Sequence, residues 1–511
     1  MSFAELVDAT NGVVWSIPLV GLCLLAGLYF TVRTRAVQVS LPDMIAQLRD
    51  GEKSVNGTSS FQSLMMSLAN RVGMGNIGGV ATAIAFGGAG AVFWMWTVAL
   101  LGAATSFVEC TLGQIYKEQD PDTGEYRGGP AYYFEKAYAH KAKTFSLVYA
   151  IAFAVVTVFA MSFFLPGVQA NGMASAMNSA WGLPTWVTAI GIVIAMSFIV
   201  VGGVKRIATF AALVVPPMAI LYILASLVVF FLNFDQIGQV FGEIFAGAFG
   251  THAVYGAIIG LAIKWGVQRG IYSNEAGQGT GPHHAAAAEV SHPAKQGFVQ
   301  AFSVYIDTLF VCTATAFIIL STDMYTVFKN EEFGSATHYV GKIGTDVEPG
   351  PGFVQAGFDT LAPGLGSSFV ALALAFFAFT TMIAYYYMAE VNLSYLTRKI
   401  SSGVVRRGMI RGLQLLILCS VAYGAVTTAG SAWGLGDIGV GTMAWLNIVG
   451  ILALQVPALK ALKDYRAQKK QGLDPQFDPR DLDIQGADFW VGRADARVTH
   501  GALDERVSPR E

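Results

Sequence analysis

Three basic residues, Arg71, Lys264 and Arg269, stand inside apolar stretches long enough to cross a bilayer. An unpaired charge at that depth costs at least about 2.5–3.5 kcal/mol, so each needs a carboxylate partner or a watered cavity. Glu109, Glu275, Asp307 and Glu390 are acids in similar surroundings, and the sequence does not say which pairs with which. Two kinds of chemistry stay open for Arg71, Lys264, Arg269 and Asp307. One is a gate or coupling network whose ion pairs break and reform between states; the other is a static scaffold.

Glycines cluster beside these charges. Leu68-Ala-Asn-Arg-Val-Gly73 and Leu261-Ala-Ile-Lys-Trp-Gly266 both read Leu-Ala-x-basic-x-Gly. The first runs on through Gly73-Met74-Gly75-Asn76-Ile77-Gly78-Gly79, the second through Gly270, Gly277, Gly279, Gly281 and Pro282. A mid-helix glycine costs about 1 kcal/mol relative to alanine, so such clusters predict unwinding. Unwound backbone in lipid needs a ligand or a cavity: freed amides suit a carboxylate, and stray carbonyls suit a cation. Close packing between helices is the alternative use of the same glycines. Gly73-Met-Gly75-Asn-Ile-Gly78 also fits GxGxxG, but that fingerprint needs a strand–turn–helix setting that a membrane span does not provide.

A bundle of membrane helices must position these groups. Of the 511 residues, 54% are hydrophobic and 13% charged, against roughly 25% charged in a soluble domain. A bilayer core about 30 Å thick needs about 20 helical residues. Eleven spans are expected, at 12–33, 60–86, 91–116, 145–170, 184–203, 207–232, 253–281, 297–320, 367–397, 409–430 and 439–462. Acids (Glu5, Asp8) precede the first span and Arg33 and Arg35 follow it, which is the reverse of a secretory signal and reads as a true span with the N-terminus outside. Alternating sides then collects Arg33, Arg35, Arg49, Lys53, Lys117, Arg127, Lys136, Lys141, Lys143, Lys205, Arg206, Lys295, Arg398, Lys399, Arg406 and Arg407 inside. Only Lys329 and Lys342 fall outside, so the positive-inside rule predicts a cytoplasmic C-terminus. Residues 321–366 form an outer loop long enough to be a lid or a solvated spacer. The charged tail from about Arg466 to Glu511 is expected to be loosely ordered. The net charge of −2 points to no nucleic-acid partner. Cys23, Cys110, Cys312 and Cys419 show no metal or disulfide spacing, and no Walker A, HExxH or GxSxG motif appears, so no enzyme activity or cofactor is expected.

These stretches resemble the alanine or glycine:cation symporter family. Asn70 to Ile84, Gly128-Gly-Pro-Ala-Tyr-Tyr133, Lys264 to Gly281 and Ala288-Glu-Val-Ser-His-Pro-Ala-Lys295 carry the resemblance, which covers roughly residues 10 to 465. It implies an all-α leucine-transporter-type fold, a 5+5 inverted repeat with one extra N-terminal helix. The parts would be residues 1–58 (extra helix and inner loop), 59–235 and 250–463 (the two repeats) and 464–511 (cytoplasmic tail). Asn70-Arg-Val72-Gly73-Met-Gly75-Asn76 is also similar to the Asn-x-Val-Gly-x-Gly-Asn stretch of neurotransmitter:sodium symporters. By that resemblance Ala69 and Val72 offer carbonyls to sodium, joined by the hydroxyls of Thr380 and Thr381. Amides of Met74 and Gly75, within the Gly73–Asn76 turn, meet a substrate carboxylate. Gln169 stands where an amide could reach that carboxylate, or else is an interfacial polar residue. Trp265 and Gly266 would shape a pocket small enough for alanine. Arg71 replaces a small residue of the broader pattern, which puts a second sodium site in doubt. The implied activity is sodium-coupled symport of alanine or glycine across the plasma membrane. Proton coupling, a channel and a membrane receptor are the rivals.

Overall fold

A computed structural model describes residues 3–49, 57–121, 123–200, 203–250, 258–331 and 333–496 of the chain. Lys53 and the side chains of Arg49, Lys205 and Arg206, four of the basic groups assigned to inner loops, lie outside that description, as do residues 253–257 of the seventh expected span.

Helices dominate. The first half contains α1 (Phe3–Val14), α2 (Ile17–Arg33), α3 (Leu41–Arg49), α4 (Ser60–Arg71), α5 (Val80–Gly87) and α6 (Gly90–Ile115), then the β1 (Glu118–Gln119) and β2 (Tyr126–Arg127) hairpin. It continues with α7 (Pro130–Ala137), α8 (Ala139–Phe159), α9 (Leu165–Trp181), α10 (Thr185–Val200), α11 (Gly203–Leu232) and α12 (Ile237–Ala248). The second half contains α13 (Ile259–Asn274), α14 (Gly281–Ala287), α15 (Pro293–Val304) and α16 (Thr313–Thr322), a β3 (Thr326–Phe328) and β4 (Thr337–Val340) hairpin, and α17 (Pro351–Asp359). The long helices α18 (Leu365–Thr397), α19 (Gly403–Val426) and α20 (Ala429–Leu454) precede α21 (Val456–Lys470).

Among the described residues eight helical stretches are long and apolar enough to cross a membrane, and α10 is a shorter apolar helix. The second and seventh expected spans are each interrupted. The first expected span is longer than anticipated because α1 stacks on α2, and the last begins about ten residues earlier, at Ala429. Helix ends follow local chemistry. Ser59 and Gln62 form a reciprocal capping box at the start of α4, and Gly182 in the left-handed region stops α9. Gly167 and Gly424 meet backbone to backbone where α9 crosses α19, an approach that only side-chain-free positions permit.

The long connection after α16 is structured. Its hairpin and α17 fold back over the bundle, with Phe328 fully buried and its ring 6.5 Å from that of Phe86.

The tail corrects an expectation over residues 471–496; residues 497–511 lie outside the described residues. Residues 471–496 are packed rather than loose: Trp490 is fully buried, and its indole donates to the Gln114 carbonyl at 2.8 Å. Phe477 stacks edge-on against Trp490, Lys295 pairs with Asp474 at 2.6 Å, and Arg493 pairs with Glu289. Aliphatic content was a poor guide here, because two buried aromatics joined to the hydrophobic core suffice to hold a short segment. Trp490→Ala should remove an anchor of roughly 3–5 kcal/mol. Limited proteolysis should then cut within 471–496 while the bundle stays intact; unchanged resistance would show that the anchor lies elsewhere.

Candidate functional site

The chain leaves helical geometry at Val72, whose backbone is extended (φ −79°, ψ 96°), and resumes through a π-helical turn at Gly75–Gly79. The amides released there are met by side chains. Gly73 N donates to Asn76 Oδ1 at 2.8 Å, and Met74 N donates to Gln169 Oε1 at 2.9 Å. Gln169 Nε2 in turn donates to the Tyr385 hydroxyl at 3.3 Å. A Cβ on Gly73 would lie 2.7 Å from both Gln169 Oε1 and Thr381 Oγ1, so α4, α9 and α18 converge on this glycine. Gly73→Ala should cost about 1–3 kcal/mol of overpacking and abolish uptake while the protein still inserts. Membrane localisation by immunoblot beside an uptake assay checks both halves.

Oxygen crowds around Thr381. Its hydroxyl lies 2.9 Å from Ala69 O, 3.3 Å from Val72 O and 2.9 Å from Phe377 O, and Thr380 Oγ1 also lies 2.9 Å from Phe377 O. Both threonines are buried. Each hydroxyl has one proton to give, so the three carbonyls around Thr381 Oγ1 compete for its single donor. Such a surplus of oxygen lone pairs is a cation's environment. Phe377 escaped the sequence reading; the signal was available, because a helix-interior threonine back-bonds to the carbonyl three or four residues earlier.

The second break falls within the glycine cluster that follows the second motif. Helix α13 continues past Lys264 and Gly266 to Asn274, and the chain turns at Glu275, Gly277 and Gly279, all with positive φ (56°, 86° and 85°). The freed amides of Gly277 and Gly279 donate to the two carboxylate oxygens of Glu109 at 3.1 Å each. Asn447 completes that cap with bonds to Glu109 and to Gly277 O. Glu275 reaches back to the first break, accepting from Asn70 and from Thr280. Asp307, on a π-helical turn between α15 and α16, joins both breaks: it accepts from Asn76 Nδ2 at 2.6 Å and from Ser273 Oγ at 2.9 Å. A Cβ on Gly75 would lie 3.2 Å from the Tyr272 ring, so the two interrupted spans cross in contact.

The cations separate. Arg71 lies directly behind the first break and donates to Ser303, Gln300 O and Ser106, with no carboxylate at ion-pair distance among the described residues. Lys264 is not at that depth. It is 36% exposed, and it pairs with Glu331 of the folded-back connection. Arg269 is buried against Asp437 of α20 in a two-pronged pair at 2.8 and 2.7 Å, with the Trp433 ring 4.3 Å and the Trp265 ring 5.0 Å from its guanidinium. These groups line a vestibule of about 670 Å3 beneath the β3–β4 connection. Trp265 therefore lines the vestibule rather than the Gly73 turn. Gly266 lines neither: a Cβ there would meet Ala91 O and Trp94 Cβ of α6 at 2.5 Å, so its use is close packing. Asp437 was missed because the last span was drawn to begin after it.

Two interrupted spans crossing inside a helical membrane bundle, with bonding groups gathered at the crossing, define a secondary transporter of the leucine-transporter type of fold. In overall shape the chain matches the crystal structure of MhsT in complex with L-phenylalanine (TM-score 0.51, 14% identity, 80% of this chain and 98% of that one). It also matches a Na+-coupled sialic acid symporter (TM-score 0.50, 13% identity, 92% and 93%). The chain belongs to the sodium:alanine symporter family, whose match spans residues 1–479. Relatives include the YrbD carrier protein of Bacillus subtilis (53% identical, 99% of this chain and 100% of that one). The sodium/proton-dependent alanine carrier protein of Bacillus sp. strain PS3 is 48% identical over 88% of this chain and 97% of its own. The sodium/alanine symporter AgcS of Methanococcus maripaludis is 35% identical over 92% and 99%.

Proposed function

We propose that this protein carries a small neutral amino acid, alanine or glycine, into the cell together with sodium by alternating access. The observation that carries this is the surplus of carbonyl oxygens around Thr381 at the first break. Sodium would bind Ala69 O, Val72 O, Phe377 O and the hydroxyls of Thr380 and Thr381. Two of those oxygens belong to the chain at the break and three to α18 facing it, so the ion orders the backbone that presents the Met74 and Gly75 amides. A substrate carboxylate would take the place that Gln169 Oε1 holds on Met74 N, with Gln169 swinging to present its NH2. Each ligand then binds better once the other has ordered the shared turn, which is the thermodynamic content of coupling.

The wider frame is eleven spans in a 5+5 inverted arrangement after one extra helix, in the plasma membrane with the C-terminus inside. Eight long stretches, the short α10 and the two interrupted spans support that count. The Arg269–Asp437 pair would be the latch between vestibule and crossing, and the Lys264–Glu331 pair would hold the connection above it.

Uptake of labelled alanine and glycine into proteoliposomes, with sodium, lithium or potassium outside, tests the reading. Accumulation should require an inward sodium gradient; equal uptake in potassium would remove it. Proton coupling is the second reading, favoured by the placement of Asp307 between Asn76 and Ser273. It predicts accumulation driven by an imposed pH gradient without sodium, and loss of that drive in Asp307→Asn.

A further inference from the structure

Two cavities adjoin at the corner where α7, α8 and α20 meet, on the face that carries the C-terminal segment. The first, about 420 Å3, is an apolar groove walled by Phe134, Phe145, Tyr149, Val449 and Ala453. It opens sideways, since Phe145 is 70% and Val449 48% exposed, which for a bundle read as membrane-spanning means toward lipid. Its two tyrosine hydroxyls are already used: Tyr149 donates to Leu446 O at 2.6 Å and Tyr138 to Ala453 O at 3.2 Å.

The second cavity, about 360 Å3, shares Tyr138 with the groove and is lined by His140, Lys141, Lys460, Asp483 and Gln485. Lys460 donates only to the carbonyls of Leu482 and Asp483, and Lys141 lies 5.5 Å from the Tyr138 ring. Neither lysine has a carboxylate at ion-pair distance among the described residues. The chain leaves helical geometry at Ala142 (φ −146°, ψ 59°), which sets Lys141 in the polar notch and Phe145 on the groove within one turn of each other.

An apolar slot open to lipid that ends in a basic notch has the polarity of a phospholipid. We propose that this corner binds an anionic phospholipid, with an acyl chain in the groove and the phosphodiester between Lys141 and Lys460. Two ammonium groups and the Asp483 carboxylate leave one net positive charge, matching the single negative charge of a phosphatidylglycerol. A phosphatidylcholine would bring a quaternary ammonium into the lysines instead. The packed tail supplies Asp483 and Gln485, so the site exists only while residues 471–496 stay docked. The proposal needs the bundle to sit in a membrane but does not depend on which solute it carries.

Thermal unfolding of the detergent-purified full chain tests it, with phosphatidylglycerol, phosphatidylcholine or inorganic phosphate added. Phosphatidylglycerol alone should raise Tm. Lys141→Gln with Lys460→Gln should raise the phosphatidylglycerol concentration needed for that response roughly 25-fold, at roughly fivefold for each basic group near an anionic lipid. Ala453→Trp, which fills the groove without touching a charge, should abolish it. Native mass spectrometry counting retained phosphatidylglycerol gives the same comparison should a variant's own Tm shift. Equal responses to the two lipids, a response reproduced by phosphate alone, or full retention in both variants would overturn the site. None of these outcomes bears on the transport reading, which rests on the oxygens around Thr381.

Discussion

Sodium stimulation of amino acid uptake is expected to disappear in Thr381→Val, whose side chain keeps the threonine shape and loses only the hydroxyl. That oxygen sits among the carbonyls of Ala69, Val72 and Phe377, so its loss takes one ligand from a bound ion and one donor from the carbonyls that stay. A bond to a charged group is worth roughly 1.5–3 kcal/mol, or roughly tenfold to hundredfold in sodium affinity. Thr381→Ser keeps the oxygen and should keep the stimulation. Linkage adds a sharper demand: amino acid affinity measured without sodium should be the same in wild type and Thr381→Val, and only the gain on adding sodium should vanish. Isothermal titration in sodium and in potassium reads this directly. A Thr381→Val protein whose sodium response matches wild type would remove the ion from this pocket.

The second large effect concerns Arg269 and Asp437, both buried and bonded through two parallel contacts. Removing either partner alone strands a charge and should cost roughly 3–5 kcal/mol. Arg269→Met and Asp437→Leu should each show a marked loss of folded protein after extraction. The double variant replaces the pair by apolar groups of similar bulk beside Trp265, Tyr272 and Trp433, and should recover most of that stability. Uptake separates the two readings of the pair. If it latches the vestibule, the double variant is stable yet fails to accumulate substrate, because the contact that selects the closed state is gone. If it is scaffold, uptake returns along with stability.

Much of the site was legible before any coordinates. The interruption at Gly73 could be read because its cause is local: glycines in series forfeit helix stability wherever they stand. The Thr380–Thr381 pair and Gln169 came from resemblance, and folding brings them onto the same turn from helices that lie 95 and 308 residues away from Met74 and Gly73. Asp307 was singled out for being an acid among apolar residues, and it does touch both breaks through Asn76 and Ser273.

Other features depend on which helix faces meet. The glycines at and after the second Leu-Ala-x-basic-x-Gly pattern form one cluster in the sequence, yet they divide in use: Gly266 and Gly270 bring α13 close to α6, while Gly277 and Gly279 stand at the break. Glycine composition alone cannot distinguish a packing surface from a broken turn. The partner of Arg269 was hidden for a similar reason, since ion pairing is a property of distance after folding, and a span edge drawn ten residues late discarded the right acid. The tail was called loose from its composition, and it is held by Trp490 and Phe477 in a receptor that the rest of the chain builds.

Composition and local glycine placement were enough to put this chain in a membrane and to locate the break in its second span, because transfer of apolar side chains and the helical cost of glycine act residue by residue. Tertiary structure alone decided which oxygens crowd Thr381, which acid neutralises Arg269 and what shelters Trp490. Those outcomes are sums over neighbours hundreds of residues apart, and no local term contains them.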